Sequence, residues 1–109
     1  MVRSDWYTTP NELFSGLAMK GKPFIIGQYY QAYPNIYQVE MMPWMAAYGA
    51  FHDADAIVFH SYNNDWEEWE KDMIEDFFPM HRNPTQMAIS PMFGFAFRNG
   101  LIKSAEDVL

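Results

Sequence analysis

The sequence predicts an α/β fold, a parallel βαβ unit with flanking helices. Two apolar runs carry that expectation, Phe24-Ile25-Ile26 within residues 23–28 and Ala56-Ile57-Val58-Phe59 within 55–60. Continuous apolar character, rather than alternation, is expected of parallel strands covered on both faces. A third observation is the helix-length segment between them, because strand–helix–strand in one sheet makes a right-handed crossover.

The elements follow in chain order. Thr9-Pro10-Asn11-Glu12 is a helix start, with Thr9 capping, Pro10 in the first helical position and Glu12 completing a capping box. Leu13, Leu17 and Ala18 give that helix one apolar face, and Gly21 stops it. The first strand leads to a helix expected over 36–51, capped by Asn35, with Val39, Met42, Ala46, Ala47 and Ala50 on its apolar side. Pro43 should kink that helix or mark a fresh start. Beyond the second strand, Asp65 and Glu68 form another capping box for a short helix. A last helix is expected from Pro84 to Phe97, with Met87, Ile89, Phe93 and Phe97 apolar, Pro91 inside and Gly100 ending it.

Composition excludes several functions. Fourteen acidic residues against seven basic ones give a net charge of −7, which opposes phosphate binding, so no nucleic-acid partner is expected. No apolar run is long enough to span a membrane, and MVRSDWYTTP lacks the apolar centre of a signal peptide. Without cysteine there are no disulfides, thiolate metal sites or cysteine nucleophile, and the compartment stays open. Asn83-Pro84-Thr85 is disqualified as a glycosylation sequon by its proline. Nearly a fifth of the residues are aromatic, more than a small core needs, so some rings should line a ligand groove or a protein contact.

Two parallel strands cannot close a sheet, and both edges stay open. A (β/α)8 barrel spends roughly 30 residues on each strand–helix unit. The chain therefore reads as a partial TIM barrel of about two such units behind a leading helix.

Three segments in succession, GKPFIIGQYY, PNIYQVEMMPWMAAYGAFHDADAIVFHSYN and NPTQMAISPMFGFAFRNGLIKSAE, resemble the C-terminal part of a clan A glycoside hydrolase. These are retaining glycosidases on a (β/α)8 barrel, and the likeness covers roughly residues 13 to 106. It implies that residues 23–28 form the seventh strand and 55–60 the eighth. The family's nucleophilic glutamate then falls on Gln28, with Tyr29 and Tyr30 beside it and His60 at the end of the neighbouring strand. Tyr33, Trp66 and Trp69 would extend an aromatic wall for an oligo- or polysaccharide. No cofactor or metal is implied.

The departures from the family matter equally. Retaining hydrolysis uses two carboxyl groups about 5–5.5 Å apart, whereas Gln28 offers a neutral amide. The family's acid follows an asparagine at the end of the fourth strand. The one Asn-Glu pair here, Asn11-Glu12, sits in a helix start and is read as capping. The chain alone is therefore expected to be inactive.

Other features have simpler readings. His52, Asp53 and Asp55 lie at the helix-to-strand junction, the stability face of a barrel, and are not read as metal ligands. Glu67, Glu68, Glu70 and Asp72 are a solvated helix face, and the nine methionines are adaptable core filler. Two other functions stay open: a carbohydrate-binding module without catalysis, and a small α/β protein that self-associates through its open edges.

Overall fold

The computed structural model describes residues 18–63, 73, 74 and 76–105. Its elements are β1 (Ile25–Tyr29), a single 3₁₀ turn (Gln38–Glu40), α1 (Met41–Phe51), β2 (Ala56–Phe59) and α2 (Pro84–Arg98). The leading helix and the short helix near Asp65, with Trp66, Trp69 and their acidic neighbours, lie outside the described residues.

β1 and β2 pair in parallel, with Ile25 opposite Ala56, Ile26 opposite Ile57 and Tyr29 opposite Phe59. Two residues of β1 separate the last two pairs, against one residue of β2. This extra residue makes a bulge at Gly27-Gln28, a device that bends a strand and re-aims a side chain.

Helices cover one face of the sheet. Phe24, just before β1, and Ile26 within it meet Met41, Met42 and Met45 from α1, with Ile57, Phe59, Ile89 and Phe93 around them. The methionines supply the deepest atoms of this core, since Met41 and Met45 are fully buried. The expectation that both faces are covered is corrected. Ile25 and Val58 remain 57% and 49% exposed, so their apolar character serves a face that the described residues leave open.

α1 begins five residues later than expected. Asn35 does not cap it; its side-chain Oδ1 accepts from the Tyr37 nitrogen at 2.9 Å and closes a turn. Pro43 then falls in the first turn of the α-helix, where a missing N–H costs no helical hydrogen bond. Both helices end in the same way. At α1, Ala54 N bonds Gly49 O and Asp53 N bonds Ala50 O; at α2, Leu101 N bonds Ala96 O and Gly100 N bonds Phe97 O. These are Schellman ends, which require a left-handed residue, here Asp53 (φ 54°) and Gly100 (φ 60°).

α2 is capped by Asn83, whose side chain accepts from the Gln86 nitrogen, and Pro84 opens its first turn. The helix runs through Pro91, beside which the Ser90 hydroxyl donates to the Gln86 carbonyl.

A candidate aromatic site at the strand ends

The carboxyl ends of β1 and β2 lie side by side, joined by a hydrogen bond from His60 N to Tyr29 O at 3.2 Å. Gln28 sits on the bulge in left-handed backbone (φ 55°) and is exposed. Left-handed conformations are uncommon for a non-glycine residue and reward inspection as functional positions.

Tyr29 faces the helices. Its ring stacks on Trp44 with centroids 6.3 Å apart, and Trp44 stacks on Tyr48 at 4.7 Å. Its hydroxyl accepts a long 3.4 Å bond from Gln31 Nε2. Tyr30 is half-buried, and its hydroxyl accepts from Gln38 Nε2 at 3.3 Å. Loss of water around this phenol raises its pKa above the usual value.

Tyr30 and His60 meet the same ring, Phe78. Phe78 lies edge-on to Tyr30 at 6.1 Å and tilted against His60 at 5.5 Å. Tyr33 is 42% exposed and is tied to the same segment, its nitrogen donating to Phe77 O at 2.9 Å. Of the residues expected at the site, Tyr30, Tyr33 and His60 therefore gather around Phe77-Phe78. Gln28 stands at the same end, immediately before Tyr29. Tyr29 joins the helix-side stack, and Trp66 lies outside the described residues.

Phe77 and Phe78 escaped the sequence reading because they close an acidic stretch taken as a solvated helix. Two adjacent phenylalanines before Pro79 were the available signal. A buried polar network was missed too. Gln38 Nε2 also donates to Gln31 O at 2.7 Å, while its Oε1 accepts from Asn83 Nδ2 at 2.5 Å. Gln86 is fully buried and donates through Nε2 to the Gln38 carbonyl. Interior amides of this kind need partners, and these fix the loop that carries Tyr30.

The junction between α1 and β2 serves structure. Asp55 Oδ2 accepts from Phe24 N at 2.7 Å, and Asp53 is the left-handed residue of the α1 end. Among the described residues no three His, Asp or Glu side chains gather as metal ligands. An apolar cleft of about 390 Å³ runs between β2 and α2, lined by Ile57, Phe59, Phe93 and Phe97 among others. Neither Gln28, Tyr30 nor His60 borders it, so it is separate from the strand-end chemistry.

Gln28 can donate and accept hydrogen bonds but carries no charge with which to attack an electrophile. The exposed rings offer apolar faces. Gln28 and His60 offer hydrogen-bonding groups at the same strand ends.

No family model, curated protein or solved structure matches the chain.

Proposed function

We propose that this chain is a glycoside hydrolase-like segment, the seventh and eighth strand–helix units of a clan A (β/α)8 barrel, that binds carbohydrate and is inactive by itself. The observation that carries the reading is Gln28: exposed, on a left-handed bulge at the carboxyl end of β1, and adjacent to a parallel strand, β2, that is followed directly by His60. Barrels of this kind keep their sites at the carboxyl ends of their strands. Glutamine preserves the shape of a nucleophilic glutamate but cannot form the glycosyl ester of a retaining reaction.

The open sheet face supports the same reading. Ile25 and Val58, on the side away from the helices, occupy the positions that would point into a barrel interior, and a complementing segment or further copies would cover them. Self-association through the open edges, without carbohydrate, is the second reading that this face favours.

The test compares the chain with Gln28→Glu on activated aryl glycosides, each alone and each joined to a barrel that supplies the other six strands. The proposal expects turnover only from Gln28→Glu in the completed barrel, where an acid is present. Turnover by the isolated chain with Gln28 intact would refute it.

A further inference from the structure

We infer that Phe77 and Phe78 form the stacking surface of the strand-end site, taking the apolar face of a neutral pyranose ring; this rests on the carbohydrate reading and names the residues that would carry it. The segment from Phe77 to His81 is strapped across both strand-end loops. On one side Phe77 O accepts from Tyr33 N at 2.9 Å. On the other, Phe78 O accepts from Ser61 N at 3.4 Å, Met80 N donates to Ser61 O at 3.0 Å, and His81 N donates to Tyr62 O at 3.1 Å. His81 Nδ1 lies 3.0 Å from the same Tyr62 carbonyl.

These bonds lock the backbone while leaving the rings outside. Phe77 is 60% exposed and Phe78 36% exposed. Phe78 packs against the rings of Tyr30 and His60, and Phe77 stands edge-on to Phe78 at 6.4 Å. Rigid backbone under exposed rings is pre-organisation, which lowers the entropy lost when a ligand settles.

The surroundings select the ligand class. The neutral amide of Gln28 and the His60 imidazole lie at the same strand ends and can address hydroxyl groups. A net charge of −7 disfavours anionic ligands. A pyranose offers a patch of C–H groups to an aromatic face and hydroxyls at its rim.

The experiment is calorimetric titration of the full 109-residue chain with cellohexaose, xylohexaose and mannohexaose, repeated on Phe77→Ala, Phe77→Tyr and Phe78→Ala, with circular dichroism and light scattering on each. For whichever hexaose binds, Phe77→Ala should lose about tenfold in affinity with an unchanged dichroism spectrum, and Phe77→Tyr should stay close to the parent. Unchanged affinity in Phe77→Ala would overturn the inference and leave the carbohydrate reading standing. Absence of binding to all three sugars by the parent chain would overturn both. A parent assembly that Phe77→Ala dissociates, with no sugar bound, would assign the rings to contact between copies and overturn the inference as well.

Discussion

Phe24 and Asp55 exchange two hydrogen bonds across the entrance to the sheet. Phe24 N donates to the Asp55 carboxylate at 2.7 Å, and Asp55 N donates to the Phe24 carbonyl at 2.9 Å. The pair fixes the register from which both strands run to the candidate site. A bond to a charged acceptor contributes about 1.5–3 kcal/mol, so Asp55→Ala should destabilise the chain by an amount in that range. Asp55→Asn keeps an acceptor and should lose less. Urea denaturation of the three proteins checks the order.

Two helical glycines should respond in opposite directions. A Cβ on Gly94 would meet nothing within 4 Å, whereas one on Gly49 would lie 2.6 Å from Ile57 Cδ1 and 3.3 Å from Phe97. Gly94→Ala should therefore gain up to about 1 kcal/mol from helix propensity. Gly49→Val should lose about 1–3 kcal/mol, because its methyl groups push β2 and α2 away from α1. Thermal unfolding of both variants separates the cases.

The Schellman ends give a second opposed pair. Gly100→Ala forces a Cβ into left-handed backbone at a cost of roughly 1 kcal/mol, while Asp53→Gly removes a similar strain at the end of α1. The first should lower the melting temperature and the second raise it.

Tyr30 supplies a pH dependence. Burial raises its folded-state pKa above the ordinary 10.0, so the folded chain keeps a proton that the unfolded chain releases. Its contribution to stability is level below the unfolded value and is lost as pH rises through the folded one. Between about pH 9 and 11, Tyr30→Phe should show a shallower fall in urea midpoint than the parent. Equal slopes would show that Tyr30 does not contribute.

The strands were legible in the sequence because Phe24-Ile25-Ile26 and Ala56-Ile57-Val58-Phe59 are continuously apolar between turn signals. α2 was legible through Pro84 and Gly100. The start of α1 was not, because Asn35 can close a turn as readily as it caps a helix, and the turn won ahead of Pro43. The core of α1 was only partly foreseen: Met42 and Ala46 are buried, but the fully buried Met41 and Met45 were not singled out. At the candidate site, the family resemblance pointed to Gln28, Tyr30 and His60, and the structure has these three residues at the carboxyl ends of the two strands. The bulge that exposes Gln28 depends on pairing between residues about thirty apart, and the Phe77-Phe78 strap depends on two loops meeting a third segment. Neither set of contacts can be read from a short window of sequence, although Phe77-Phe78 before Pro79 marks where the strap lies.

We propose that position 28 is the nucleophile position of a retaining glycosidase, disabled by an amide. Intact-mass spectrometry tests it most directly, on the completed barrel carrying either Gln28 or Gln28→Glu, after exposure to dinitrophenyl 2-deoxy-2-fluoro glycosides. Dinitrophenolate leaves without acid assistance, and the fluorine slows release of the glycosyl-enzyme. The account predicts a single glycosyl adduct on the substituted side chain at position 28 in Gln28→Glu and none in the parent. An adduct on the parent, or an adduct of Gln28→Glu attached at another residue, would contradict it.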